Sequence, residues 1–234
     1  MASASSNPLA VLFDVDGTLV DSNYLHVHAW ARAFREESID VESWRIHRSI
    51  GMDGSTLVAT LSGDASDAVQ QRLKDHHGSF FRDTAELIVR LPGARELLHH
   101  LAEHGVRVVL ASSAPDDELS IARKVLDSDD AIAAATSSKD VDTAKPDPGI
   151  VRVALERAGV SAEQAVFVGD AVWDGQAATR IDVPFIGLRC GGVADSELEK
   201  AGAQAVFDDP RDLLQHLETT AIGARIGEDA RSEK

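Results

Sequence analysis

Four short stretches of the chain carry side chains able to do chemistry together. They are Asp14 and Asp16 in Phe13-Asp14-Val15-Asp16-Gly17-Thr18, the pair Ser112-Ser113, Lys145 in Thr143-Ala144-Lys145-Pro146, and Gly169-Asp170 with Asp174 four residues on. Several carboxylates gathered at one place repel each other, and a hard divalent cation with oxygen ligands, Mg²⁺ above all, offsets that repulsion. A lysine and a hydroxyl suit phosphate oxygens and the charge that develops on them in transfer. One carboxylate can attack as a nucleophile, and a second can protonate a leaving oxygen and later activate water. The set suits phosphoryl transfer without a Walker-type loop.

For these residues to meet, the elements that carry them must share an edge. Residues 9–12 form an apolar run of strand length directly before Asp14. Side chains alternate along extended chain, so Asp14 and Asp16 point one way and Val15 the other. Residues 106–111 and 165–169 are further apolar strands, and each leads straight into one of the reactive stretches. Short strands follow at 131–135, 184–188 and 204–207. Helices are expected at 94–104, 117–126, 148–158, 174–180 and 209–219. Strands alternating with helices of this length predict an α/β fold with a doubly wound parallel sheet, whose strand ends open on one edge. Between residues 21 and 88 the pattern is helical, at 23–37, 43–61 and 65–82, with breaks at Gly51, Gly54 and Ser62-Gly63 and no convincing buried strand. The expected organisation is a core of residues 1–20 and 89–222, a helical cap of residues 21–88, and flexible tails at 1–7 and 223–234. The crossings near 19–22 and 89–92 would be hinges.

Composition narrows the partners. The chain has 234 residues, a formal net charge of −16 and a sequence pI near 4.8. Such a surface repels nucleic acid and anionic membrane, so neither is an expected partner. A single cysteine, Cys190, excludes an internal disulfide and suits a reducing compartment. No apolar stretch reaches membrane-span length, and the first residues lack the order of a signal peptide, so a cytoplasmic protein is expected. Whether it is a monomer or a homodimer is open.

The motifs Asp14-Val15-Asp16-Gly17-Thr18, Ser112, Lys145-Pro146 and Gly169-Asp170 with Asp174 resemble, in order and spacing, those of the haloacid dehalogenase-like superfamily. The helical insert after the first motif also fits, as does the return through Leu91-Pro92-Gly93-Ala94-Arg95-Glu96-Leu97-Leu98. The resemblance covers about residues 9–217 and implies a Rossmann-like core with an inserted helical cap. It also implies roles. Asp14 would be the nucleophile and an Mg²⁺ ligand. Asp16 would be the general acid/base, its main-chain carbonyl a second metal ligand. Ser112 would hydrogen-bond the phosphoryl group, and Lys145 would pair with Asp14 and the phosphate. Asp170 would complete the metal site, and Asp174 would bind metal directly or through water. Thr18 and Ser113 would line the phosphate cup. The implied activity is a Mg²⁺-dependent phosphatase of a small phosphorylated metabolite acting through an aspartyl-phosphate.

Within that superfamily, Asp16 disfavours a dehalogenase. A phosphonate-cleaving member would need a lysine soon after the first motif, and none precedes Lys74. The stretch Asp21 to Trp30 resembles β-phosphoglucomutase, but Gly169-Asp170 followed by Asp174 has the form found in phosphatases such as phosphoglycolate phosphatase. A sugar-phosphate mutase therefore stands as the enzymatic alternative, and a catalytically silent binding or regulatory protein as the other. Substrate selection is expected in the cap, with Arg48 and Lys74 as phosphate-binding candidates beside Arg45, His47 and Met52, although such charges are commonly solvated. Asp174 can also serve as a helix-start carboxylate. Trp30, Phe34 and Trp44 are expected in the cap core. His76-His77 have no matching ligand cluster in the sequence.

Overall fold

The computed structural model describes residues 9–141 and 145–232. Thr143 and Ala144, and the expected tail at 1–7, lie outside the described residues. In chain order the elements begin with β1 (Ala10–Phe13) and β2 (Val20–Asp21). Four helices follow, α1 (Asn23–Glu36), α2 (Ser43–Ser49), α3 (Gly54–Leu61) and α4 (Asp67–Asp83). The chain returns through β3 (Val89–Arg90) to α5 (Ala94–Glu103), β4 (Arg107–Ala111), α6 (Asp116–Leu126) and β5 (Ile132–Thr136). Then come α7 (Gly149–Ala158), β6 (Ala165–Gly169), α8 (Val172–Thr179) and β7 (Phe185–Leu188). The last elements are α9 (Asp195–Lys200), β8 (Ala203–Phe207), α10 (Pro210–Gln215) and α11 (Ala221–Ser232).

Six strands form one parallel sheet in the order β5-β4-β1-β6-β7-β8. β1 lies between β4 and β6 and is buried along its length. The two-residue period divides its side chains. Val11 and Phe13 join Leu97, Leu110 and Val168 on one face. Ala10 and Leu12 join Val109, Ile150 and Phe167 on the other. Burial on both faces explains why these strands read as continuous apolar runs. The chain winds from β1 to β4 and β5 on one side, then crosses to β6 on the other. The carboxyl end of β1 therefore sits at a topological switch point, where side chains of neighbouring loops converge.

The helices from α1 to α4 bury a cluster of their own, with Trp30, Phe34, Ile46, Leu57 and Leu73 at its centre. β2 and β3 pair antiparallel, Val20 with Arg90 and Asp21 with Val89, where the chain leaves and re-enters the sheet. This ribbon is too short for its apolar pattern to announce it.

The helical stretch at 43–61 breaks at Gly51 as expected, because Gly51 adopts φ +93 and Asp53 caps α3, accepting from Ser55 N–H at 2.8 Å. Other expectations are corrected. Trp44 lies outside the helical core and is 67% exposed. Residues 223–232, expected in a flexible tail, belong to α11. Thr220 Oγ1 accepts from Ile222 N–H at 3.2 Å at its start, and Ile222 and Ile226, one turn apart, pack on the core.

Candidate active site

Asp14 follows β1 directly, its N–H donating to Val168 O on β6 at 2.9 Å. The end of one strand is thereby tied to its neighbour, and the Asp14 side chain is nearly buried. Lys145 reaches it from the loop before α7. The lysine side chain is fully buried, with Nζ 2.5 Å from Asp14 Oδ1 and 2.8 Å from Asp174 Oδ1. Burial opposes its charge, but the two carboxylates outweigh that and hold it protonated.

Asp14, Asp170 and Asp174 each bring an oxygen within 4.8 Å of the others. Asp170 is oriented from two sides. Thr18 Oγ1 donates to its Oδ1 at 2.7 Å and Asn23 Nδ2 to its Oδ2 at 2.8 Å. Asn23 also donates to Gly191 O at 3.2 Å. Gly191 packs so closely that a Cβ there would collide with the Asp170 carboxylate. Gly17 serves the same corner. Its φ of +79 turns the chain back after Asp16, and a side chain there would meet Asn23 and Asp170.

Three carboxylates face one lysine, so the cluster carries excess negative charge. Burial first, then repulsion from Asp174, pushes Asp170 up to about 7. Burial likewise raises Asp14, against the pull of Lys145 and with repulsion from Asp174 and Asp170. An all-oxygen, buried and over-negative cluster has the donor chemistry of a hard divalent cation, and the residues fit Mg²⁺. Asp174 has a second duty, since its Oδ2 accepts from Ala171 N–H at 3.0 Å at the start of α8. The helix-start role that the sequence offered for this residue is therefore present.

Asp16 stands apart from that cluster. Ser22 Oγ donates to its Oδ1 at 2.5 Å, and His26 Nε2 lies 3.3 Å from the same oxygen. Burial works against its charge, but His26 and the Ser22 hydroxyl outweigh it and lower its pKa. The carboxylate lies on the rim of a cavity of about 510 Å³ between the helical unit and the sheet.

The other expected residues divide. Ser113 lines this cavity, and its buried hydroxyl has no hydrogen-bond partner among the described residues, so it is free to meet a ligand. Ser112 is buried at the end of β4, where its Oγ accepts from Ala114 N–H at 3.0 Å while its own proton remains to donate. Lys74 lines the cavity, with Nζ 3.2 Å from Ser55 Oγ. Thr18, expected in a phosphate cup, instead gives its hydroxyl to Asp170. Arg48, expected to bind phosphate, points elsewhere and makes a two-pronged pair with Glu197 at 2.5 and 2.7 Å. It faces α9, a helix the sequence reading did not include. Asn23, Ser22, His77 and Glu118 were not singled out as site residues. Ser22 and Asn23 follow the first motif closely but carry no spacing that marks them, whereas His77 and Glu118 are remote in sequence and meet the site through folding. Cys190 donates to Gly17 O at 3.1 Å, and burial pushes its thiol up, so it is inert.

The site is thus an aspartate–lysine pair beside a carboxylate cluster at the carboxyl end of the central strand of a Rossmann-like sheet. The chain belongs to the haloacid dehalogenase-like hydrolases, whose family profile matches residues 11–188. It is 31% identical over 212 residues to a phosphoglycolate phosphatase of Rhodospirillum rubrum, covering 86% of this chain and 88% of that protein. A solved hydrolase from Pseudomonas syringae superposes with a TM-score of 0.87 at 38% identity, covering 91% of this chain and 98% of the other. A β-phosphoglucomutase of Clostridium difficile shares the fold, with a TM-score of 0.79 at 18% identity over 94% and 98% of the two chains. The chain is a phosphatase of this family. Among the described residues no helix is long and apolar enough to cross a membrane.

Proposed function

We propose that the chain hydrolyses a small phosphorylated metabolite, phosphoglycolate or a compound of similar chemistry, with Asp14 as nucleophile and Mg²⁺ as cofactor. The observation that carries this reading is the buried contact between Lys145 and Asp14, 2.5 Å long, beside a cavity that Asp16 and Ser113 line. Residues 21–88 act as the cap over that cavity, and the β2–β3 ribbon is its attachment.

Asp14, Asp170 and Asp174, with the Asp16 carbonyl, would hold Mg²⁺, which supplies charge neutralisation for a phosphoryl group facing Asp14. Lys145 holds Asp14 in place and pulls against the burial that raises its carboxyl. Ser112 and Ser113 supply hydroxyls to the phosphoryl oxygens. Lys74 offers a positive charge to the rest of an anionic substrate. Asp14 attacks phosphorus, the ester oxygen leaves with a proton from Asp16, and an aspartyl-phosphate remains. Asp16, now a carboxylate, draws a proton from water, which attacks the phosphoenzyme and releases phosphate.

A mutase would share the first half of this cycle, and Lys74 in the cavity suits a sugar phosphate too. Both motif-one carboxylates and Lys145 are present and paired, which speaks against a silent binding protein. The deciding experiment is a panel of phosphorylated metabolites assayed with Mg²⁺. Phosphate release, abolished in Asp14→Asn, supports the phosphatase. Conversion of β-glucose 1-phosphate to glucose 6-phosphate without phosphate release would replace it with the mutase.

A further inference from the structure

Glu118 reaches the cavity from α6. It is 6% exposed and lines the cavity, and no hydrogen bond reaches its carboxylate among the described residues. The nearest ion partner is His77 Nδ1 at 3.6 Å, outside hydrogen-bond reach. Other polar groups nearby are spent. Arg82 Nη1 donates to Asp117 Oδ2 at 2.9 Å. His26 Nδ1 and His77 Nε2 lie 3.0 Å apart, with ring centroids 5.2 Å apart and an interplanar angle of 17°. Those distances put the two nitrogens nearly head-on, so the imidazoles bond to each other and do not converge on a metal with Glu118. A buried carboxyl without a partner is costly and uncommon in a native fold. Its opening to the cavity gives it a use.

Gly78 on α4 stands before it. Glycine is a poor helix former, yet Gly78 lies inside a seventeen-residue helix and is absent from the positive-φ positions. A Cβ there would lie 3.3 Å from Arg82 Nη1, the far end of a flexible side chain, and 3.8 Å from Glu118 Oε1. Neither the backbone nor tight packing therefore demands glycine. The missing side chain keeps the space in front of the Glu118 carboxyl open, and both residues line the cavity.

We propose that Glu118 and Gly78 form a subsite for the alcohol part of the substrate, in which Glu118 accepts a hydrogen bond from a hydroxyl of a phosphorylated polyol. This rests on the phosphatase reading above and narrows its substrate to esters that carry a hydroxyl beside the phosphate.

The chemistry of the cavity favours that ligand. Burial raises Glu118 to about 7, and the acid and the carboxylate both offer an accepting oxygen, so a hydroxyl fits either state. Trp30 and Leu57 on the cavity wall supply apolar contact for the carbon chain. A carboxylate on the substrate has no proton to give, and Asp75 and Asp117 line the same cavity and repel it. Phosphoglycolate brings no donor to Glu118. A site with a buried polar group left unpaired by the wrong ligand discriminates more strongly than an apolar pocket does. Glu118 is thus a specificity-determining residue.

The test uses the Mg²⁺-loaded full-length enzyme and two esters of equal chain length, glycerol 3-phosphate and propyl phosphate. Both leave as simple alkoxides, and only the first carries hydroxyls. The readout is the ratio of their kcat/KM values, which compares transition-state stabilisation. Wild type is expected to favour glycerol 3-phosphate by about tenfold or more. Glu118→Met removes the acceptor at similar volume, and an apolar group in place of an unpartnered one keeps the fold. In this variant kcat/KM for glycerol 3-phosphate is expected to fall until the ratio is within about threefold of unity, while propyl phosphate stays within about twofold. Gly78→Ala strengthens the helix but crowds the carboxyl, and the preference is expected to fall about tenfold. No preference in wild type, a preference that survives either substitution, or an equal fall on both esters overturns the subsite. Wild type that releases phosphate from p-nitrophenyl phosphate yet shows no preference overturns the subsite alone. Wild type that releases phosphate from none of these esters removes the phosphatase reading and the subsite with it.

Discussion

Lys145 Nζ sits 2.5 Å from Asp14 Oδ1, and the two residues are 131 positions apart in the chain. The lysine is the fully buried cation among three buried carboxylates, so it has both a catalytic and a structural task. Replacing it by Met leaves Asp14 and Asp174 without their partner. Breaking a buried pair from one side costs about 3–5 kcal/mol. Loss of one preorganised charge donor costs about 10²–10³ in kcat. Lys145→Met is therefore expected to be both less stable and nearly inactive, read by denaturant unfolding and by phosphate release. An active, fully stable variant would remove Lys145 from the site.

The carboxylate cluster makes stability depend on metal. Mg²⁺ at a hundredfold excess over its dissociation constant should stabilise the fold by about 2.7 kcal/mol. The gain should vanish with chelator and in Asp170→Asn. Thr18→Val and Gly191→Ala leave the ligands in place but disturb the orientation of Asp170, through a lost hydrogen bond and a steric collision. Each is expected to weaken Mg²⁺ binding about 10–100-fold by calorimetry. Unaltered affinity in both would place the metal elsewhere.

Glu118 gives a pH dependence whose sign is set by burial. Its pKa rises from 4.5 to about 7 in the fold. His26 and His77 on the insert side, Arg82 on α4, neighbouring Asp117 and Asp16 all face it. Because the folded state holds the proton more tightly, the neutral carboxyl is favoured below pH 4.5, and this advantage is lost as pH rises to about 7. Wild-type stability relative to Glu118→Gln should therefore decline over that window, by about 3 kcal/mol at most. Urea unfolding of both proteins from pH 5 to 8 checks this, and a difference that stays flat would show that Glu118 is not perturbed.

Two cap cations should behave oppositely. Lys74 lines the cavity, whereas Arg48 is spent on Glu197. Lys74→Ala is expected to raise KM for an anionic substrate about tenfold, as loss of a charge-assisted contact does. Arg48→Ala should leave KM within about twofold, since a surface ion pair contributes little. The reverse result would exchange their roles.

The six-stranded parallel sheet was legible in the sequence because its strands, apolar on both faces, stand out as runs such as 165–169. The candidate catalytic motifs were legible because each is local, three at strand ends and Lys145 in the loop before α7. Weaker signals failed. The ribbon of Val20 and Val89 was too short, α9 has only Leu198 to bury, and the period of Ile222 and Ile226 was lost among charges.

What the chain's local order determined is thus the sheet, the helical insert and the set of reactive residues: Asp14, Asp16, Lys145 and Asp170. What only the tertiary structure decided is the pairing. It gave Thr18 and Asn23 to Asp170, turned Arg48 to Glu197, and lined up His26, His77 and Glu118 behind Asp16. The reason is physical. Alternation and apolar runs are encoded between near neighbours, whereas a hydrogen bond between residues 147 positions apart exists only once packing has brought two elements together.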